Sequence, residues 1–212
     1  MVDLSEEELK RNCPHCGPNS FGLKHTLFET KNFWVVCDTH PLIEGHILII
    51  PKLHVSCIGE FSKDLFDEFL ELYSKFSNFL EKEYGKISAF EHGKVGQTVF
   101  HSHIHLLPYT GKPEDIVPEG LNHLMRIPSL SSLKGIYIKD KAYLFFSIGG
   151  NLWIVDIKLG RPRFFRDRFA KALGRSQRGN WKVMHQDTKI TCEVNKEIEN
   201  LENRWKRSYE YK

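Results

Sequence analysis

No apolar stretch in the 212 residues approaches the roughly 20 that a membrane-crossing helix needs. Residues 1–10 are acidic, where a secretory leader would open with positive charge. The two absences predict a cytoplasmic protein, or a nuclear one in a source with a nucleus, and no membrane partner. Cysteine is scarce too. Cys13, Cys16, Cys37, Cys57 and Cys192 form an odd set of five, which argues against a disulfide framework. Cys37 and Cys57 lie in apolar, strand-like surroundings and read as small core residues. No segment of the chain repeats another.

What is present supports one good core and a smaller appended unit, since 41% of the residues are hydrophobic. The net charge of +3 is unevenly spread. Residues 1–160 hold 16 Lys/Arg against 20 Asp/Glu, whereas residues 161–212 hold 14 against 7. The last quarter is therefore basic, either as a solvated surface or as a contact for a phosphate backbone.

The chemistry gathers at Gly96-Gln97-Thr98-Val99-Phe100-His101-Ser102-His103-Ile104-His105-Leu106-Leu107-Pro108, where histidine recurs at every second position. Period two is that of a strand, so His101, His103 and His105 are predicted to share one face while Ser102, Ile104 and Leu106 turn to the core. Gly96-Gln97 and Pro108 fit the strand's ends. Imidazole works near neutral pH as nucleophile, proton shuttle or metal ligand. The plain alternative is a polar outer face, or chance among eleven histidines. The triplet alone leaves a metal site and a covalent catalyst equally open. A second motif is Cys13-Pro14-His15-Cys16, whose spacing lets both thiolates reach one tetrahedral metal that needs two further ligands. A redox pair or two idle thiols are the competitors, the former weakened by the lack of a βαβ pattern around the motif.

Around these motifs, Ser5 and Glu8 form a capping box for a short helix over residues 6–11, and residues 17–20 turn the chain. Residues 21–30 and 32–37 read as a hairpin about Lys31, residues 38–45 as a loop, and residues 46–51 as a buried strand stopped by Pro51. Leu65, Phe69, Leu70, Tyr73, Phe76 and Leu80 recur at helical spacing, so residues 62–84 form the clearest helix, with Ser62 as N-cap and Gly85 at its exit. A strand over residues 87–91 follows. Residues 109–134 carry Gly111, Pro113, Pro118, Gly120 and Pro128 and read as an irregular surface linker. Gly149-Gly150-Asn151 signals a hairpin of residues 143–148 and 152–158. Helices are predicted over residues 163–173 and 193–207.

With both motifs placed, the chain resembles the histidine-triad (HIT) superfamily of nucleotide hydrolases and transferases. The likeness runs over residues 13–110: the Cys13 to Cys16 motif, Asp38 ahead of Gly45-His46-Ile47-Leu48-Ile49-Ile50-Pro51-Lys52-Leu53-His54, the long helix, and the histidine row. It implies an α+β fold with a central antiparallel sheet and helices, commonly paired as a homodimer. Here a HIT domain of residues 1–110 would be followed by a linker, 111–134, and a smaller C-terminal α/β extension, 135–212. The resemblance makes His103 the nucleophile toward a nucleotide α-phosphorus, through a nucleotidyl-histidine that water or another acceptor resolves. His105 and His46 would hold phosphate oxygens, with Gln97 and Thr98 as hydrogen-bond donors. Asp38 falls where the family takes the ribose hydroxyls, and Phe33 and Trp34 would wall the base. Zinc-bearing branches supply a structural zinc set that maps onto Cys13, Cys16, His54 and His101; His15 and His40 read as neighbours of these sites.

Two positions depart from the family pattern. Ser102 stands where an apolar residue is usual, and Glu91 where an amide side chain lies near the phosphates; a Glu91 facing the site would repel a polyphosphate. From Tyr143 onward a weaker likeness extends to the C-terminal part of the CwfJ-like branch, which is linked to RNA processing. The implied partners are a nucleotide or dinucleotide substrate and, through the basic region, RNA. Hydrolase is the first expectation and nucleotidyltransferase its close variant. The rival is an RNA-binding protein that keeps the domain as a nucleotide-binding module and carries affinity on Arg161, Arg163, Arg166, Arg168, Arg175 and Arg178.

Overall fold

The computed structural model describes Lys10, residues 13–17 and residues 20–210. The helix expected over residues 6–11, Lys10 aside, and the Pro18-Asn19 part of the following turn lie outside the described residues. Eight strands are present among the described residues: β1 Thr26–Glu29, β2 Phe33–Cys37, β3 Ile47–Pro51, β4 Ile87–Glu91, β5 Ile104–Pro108, β6 Leu124–Ile127, β7 Leu144–Ile148 and β8 Asn151–Val155. The described helices are α1 Lys63–Tyr84, α2 Pro113–Ile116, α3 Ser132–Asp140, α4 Phe164–Ala172, α5 Trp181–Met184 and α6 Thr188–Glu210. The strands form one antiparallel sheet in the order β1-β2-β3-β5-β4-β7-β8-β6, the expected mix of helices and central sheet.

The sheet does not stop at residue 110. β7 pairs with β4 in the register Ser88↔Ile148 to Glu91↔Phe145, so the predicted glycine hairpin extends the sheet that carries the histidines. Residues 111–134, expected to be irregular, supply α2 and the edge strand β6, which pairs with β8. The prolines that suggested a linker are compatible with this. Pro113 opens α2, where its missing N–H is no loss, and Pro128 follows the last residue of β6.

Each face of the sheet has its own cover. On one face, Phe33, Val35, Ile47, Ile49, Ala89, Ile104 and Leu106 pack against Leu65, Phe69, Phe76 and Leu80 of α1, as side-chain alternation along the strands dictates. Helix α1 starts where Ser62 Oγ accepts the Leu65 N–H and ends at Gly85, whose φ of +83° suits a residue without Cβ. The terminal helix α6 closes this face: Trp205 stacks on Phe76 at 4.5 Å and donates its indole N–H to the Leu27 carbonyl. On the other face, Phe90, Leu107, Leu144 and Phe146 are covered by Phe164, Phe165 and Phe169 of α4. Toward β2 and β3 that face carries Trp34, Val36, Leu48 and Ile50, and beside this part lies a cleft.

The loop leading to the histidines is pressed onto the chain entering α4. A Cβ on Gly96, whose φ is +66°, would come 2.2 Å from the Arg161 carbonyl oxygen. Only glycine fits both the backbone angle and the approach.

Candidate active site

β5 begins at Ile104, so His105 alone of the three histidines sits on a strand. Residues 97–103 cross to it as a loop, contrary to the strand expected through the whole row. Local bonding explains the difference. The Ser102 N–H donates to the Val55 carbonyl at 2.6 Å, and the His101 ring is tied to the Pro51 carbonyl, so this stretch is bound to the segment after β3 instead of continuing the ladder.

The row is thereby split between two sites. His101 joins Cys13, Cys16 and His54, whose donor atoms lie within 4.8 Å of one another. Cys13 Sγ and Cys16 Sγ are each 3.3 Å from His101 Nδ1, and Cys16 Sγ is 3.1 Å from His54 Nδ1. Tetrahedral bonds of ordinary zinc–sulfur and zinc–nitrogen length give an S···N edge of about 3.5 Å, close to these separations. The His101 Nε2–H donates to the Pro51 carbonyl at 2.7 Å, which leaves the Nδ1 lone pair toward the thiols. Burial holds His101 down to about 4 and so keeps it neutral. Burial, with the adjoining Cys13 thiol, pushes the Cys16 thiol up to about 12. A thiolate there is favoured only beside a cation. These four residues can hold a metal ion.

His103 and His105 line the cleft with Pro14, His15, Phe21, Leu48, Thr98, Val99 and Trp181. A chain of hydrogen bonds sets the ring protons. The Leu42 amide can only donate, and it donates to His46 Nδ1 at 3.1 Å. His46 then carries its proton on Nε2 and gives it to His105 Nδ1 at 2.9 Å. His105 is therefore protonated on Nε2, which is buried and has no partner among the described residues. His103 is set the other way: its Nδ1–H donates to the His101 carbonyl at 2.6 Å, so Nε2 carries the lone pair. Burial lowers both pKa values, His105 well below the ordinary imidazole range, which keeps the rings neutral at neutral pH. Phe90 stacks on His105 at 4.1 Å and fixes its plane. The pair thus presents one basic nitrogen and one N–H donor to the same cleft.

Asp38 is the buried carboxylate of this site. Its Oδ1 accepts the His40 N–H and its Oδ2 the Arg166 Nη1–H, both at 2.8 Å. Burial alone would raise its pKa, but Arg166, His46 and the His40 amide prevail and hold it well below the usual carboxylate range. Asp38 Oδ2 also lies 3.6 and 3.7 Å from His46 and His105. The Arg166 guanidinium already supplies the positive charge that a cation would bring there.

The HIT domain family model matches residues 23–111. The chain is 35% identical over 86 residues to an uncharacterized HIT-like protein of Chlamydia trachomatis, which amounts to 38% of this chain and 77% of that one. The chain belongs to the HIT family. It is also 34% identical over 86 residues to adenylylsulfatase HINT3 of Arabidopsis thaliana (39% of this chain, 44% of that protein). To adenosine 5'-monophosphoramidase HNT1 of Saccharomyces cerevisiae it is 38% identical over 87 residues (39% and 52%). It thus spans about half the length of these two relatives.

Several residues expected at the site stand elsewhere in this HIT protein. His46 is fully buried behind His105 and reaches the cleft only through it. Phe33 packs against Phe61 and Phe69 on the opposite face of the sheet, because neighbouring strand residues alternate in direction. Trp34 packs with Leu23, Val36, Leu48 and Ile50, Lys52 lies over its ring, and it does not line the cleft. The cleft's aromatic walls are Phe21 and Trp181. Thr98 lines the cleft, but Gln97 turns away and donates to the Ser56 carbonyl. Glu91 faces the α1 side, where it accepts from Ser102, Tyr143 and the Ile58 amide, so the feared repulsion of a polyphosphate does not arise.

The arginines of the basic region are largely spoken for. Arg166, Arg168 and Arg178 are buried, and they pair with Asp38, Glu119 and Glu193/Glu197 respectively. Arg175 pairs with Glu197 and Arg163 with Asp167, while Arg161 is exposed. Trp181 and Phe21 are cleft residues that the sequence did not mark, while Arg166 was expected to carry RNA affinity and His15 only to neighbour the sites. The predicted helix, the basic composition and the weak CwfJ-like likeness marked α4, and none of them says which arginine turns inward.

Proposed function

We propose that this protein is a nucleotide hydrolase that cleaves a phosphoanhydride or phosphoramidate bond at a nucleoside α-phosphate through His103. The observation that carries the reading is the opposed protonation of two neighbouring imidazoles, with ring centroids 5.0 Å apart, on one cleft. His103 Nε2 forms a bond to phosphorus as the bond to the leaving group breaks, the electron pair departing with that group, which takes a proton from solvent when it is an amine. His105 Nε2–H donates to a phosphoryl oxygen as charge builds on it, and His46 keeps that proton on the correct nitrogen. Water then attacks phosphorus and releases a proton to solvent, the phosphorus–nitrogen bond returns its pair to His103, and the nucleoside monophosphate leaves. The names of HINT3 and HNT1, an adenylylsulfatase and an adenosine phosphoramidase, support adenylyl compounds as first substrates.

Cys13, Cys16, His54 and His101 fit zinc by donor type and spacing. When bound, a zinc with four protein ligands cross-links the Cys13 to Cys16 loop to the segments flanking β3 and β5 and leaves no position for substrate.

The test is His103→Asn with adenosine 5'-phosphoramidate, adenylyl sulfate and diadenosine polyphosphates as substrates. Turnover is expected to fall by about 10³-fold or more, with no nucleotidyl adduct trapped on acid quench and metal content unchanged. Wild-type rates in the variant would end the assignment.

A further inference from the structure

The strand-and-loop part of the cleft comes from residues inside the matched HIT region, but one charged group on it does not. Arg166 belongs to α4, beyond residue 111, and enters the cleft wall with 6% exposure. Its guanidinium spans two acceptors, with Nη1 on Asp38 Oδ2 at 2.8 Å and Nη2 on the His40 carbonyl at 2.6 Å. Phe165 and Phe169 beside it are buried in the core under α4, so the fork is delivered from a rigid element. The other basic groups about Asp38 are the imidazoles of His15, His40, His46, His103 and His105, all of them lowered by burial. A permanent positive charge is what keeps a carboxylate ionised at such a site, since burial without one favours the protonated acid.

The chemistry of the ligand decides what an ionised Asp38 is for. A nucleotide offers a phosphate, which carries negative charge and only accepts hydrogen bonds, and ribose hydroxyls, which donate them. A carboxylate on the cleft wall repels the first and accepts from the second. The HIT resemblance already sets Asp38 at the ribose hydroxyls; we infer that Arg166, from outside the matched region, is the positioning residue that holds this carboxylate ionised and oriented, so that the preference for ribonucleotides over 2'-deoxyribonucleotides depends on it. This rests on the nucleotide reading proposed above, but not on hydrolysis.

The experiment is calorimetric titration of the full chain with AMP and with 2'-deoxy-AMP. A hydroxyl donated to an ionised acceptor predicts that wild type binds AMP about 10- to 100-fold more tightly than the deoxy compound. In Arg166→Met the two affinities should come within about threefold of each other, with metal content and thermal midpoint showing that the variant is folded. Arg166→Lys, which restores the charge, should recover a preference of at least about fivefold; a merely structural arginine predicts equal losses for both ligands. If the Met variant does not fold, the Lys variant decides: a retained preference supports the assignment and a lost one overturns it. It is also overturned by a wild type indifferent to the 2'-hydroxyl, or by an Arg166→Met protein that keeps the full preference. A wild type that prefers AMP but leaves adenosine 5'-phosphoramidate intact would remove the hydrolase reading and leave this one standing.

Discussion

Asp38 and Glu91 are both buried carboxylates, exposed by 5% and 1%, and they lie on opposite faces of one sheet. Asp38 stands on the cleft face with a guanidinium in contact and is held well below the usual carboxylate range. Glu91 stands on the α1 face with Tyr143, Ser102 and the Ile58 amide as donors and no cation in contact among the described residues. There burial outweighs the hydrogen bonds and pushes Glu91 up to about 7. Three donors from neutral groups therefore fail to do what an arginine does with His46 and the His40 amide beside it. The cleft face is built around charge that is kept, the core face around charge that is shed, and the two respond differently to substitution.

The largest effects should separate the faces outright. His103→Asn removes chemistry on the cleft face and, since Asn keeps a side-chain N–H for the His101 carbonyl, is expected to leave the unfolding free energy within about 1 kcal/mol of wild type. Phe76→Ala does the reverse. Phe76 is fully buried, stacked under Trp205 at 4.5 Å, so truncation opens a cavity between α1 and α6 and should cost about 3–5 kcal/mol. Denaturant titration of both variants checks this, with KM measured on whatever Phe76→Ala protein is folded. A Phe76→Ala protein of normal stability but altered KM would mean that the two faces are not independent.

The next effect is a pH dependence that belongs to one carboxylate. Glu91 near 7 in the fold, against an ordinary 4.5, contributes stability that is fully present below pH 4.5 and is lost as pH rises to about 7. Two and a half units at about 1.36 kcal/mol each set the size at up to about 3 kcal/mol. Glu91→Gln mimics the protonated form at every pH. The variant's stability relative to wild type should therefore climb between pH 4.5 and 7 and level off above it. A difference that is flat over that window, or that falls, would show that Glu91 is ionised in the fold after all.

The same contrast marks what could be read from the chain. The α1 face was legible because helix and strand periodicities place Leu65, Phe69, Phe76, Ile47 and Ile49 without reference to anything distant in sequence. The cysteine pair and the histidines were legible as chemistry because few other arrangements use them at such spacing. Which way His101 turns was not, since strand periodicity describes a ladder, and the bonds of Ser102 to Val55 and His101 to Pro51 replace that ladder. Nor could composition say that Arg166 meets Asp38 across 128 residues. That pairing follows from β7 adding to β4 and carrying α4 over the cleft side of the sheet, a tertiary event with no local signature.

The smallest effect probes how the two faces touch. Ser102 lies between His101 and His103, yet its Oγ–H donates to Glu91 Oε1 at 2.8 Å. A hydroxyl bonded to a neutral acid contributes about 1 kcal/mol, and one bonded to a carboxylate about twice that. Ser102→Ala should therefore destabilise by about 1 kcal/mol below pH 5, where Glu91 is protonated, and by about 2 kcal/mol above pH 7. Losing the donor disfavours the ionised form, so Glu91 rises further and the loss of stability continues to higher pH. In the Glu91→Gln background the pH dependence of the serine's effect should vanish, because the acceptor no longer titrates. If the cost of Ser102→Ala instead shrank with rising pH, or persisted unchanged in that background, the serine would be acting on the histidine loop and not through Glu91.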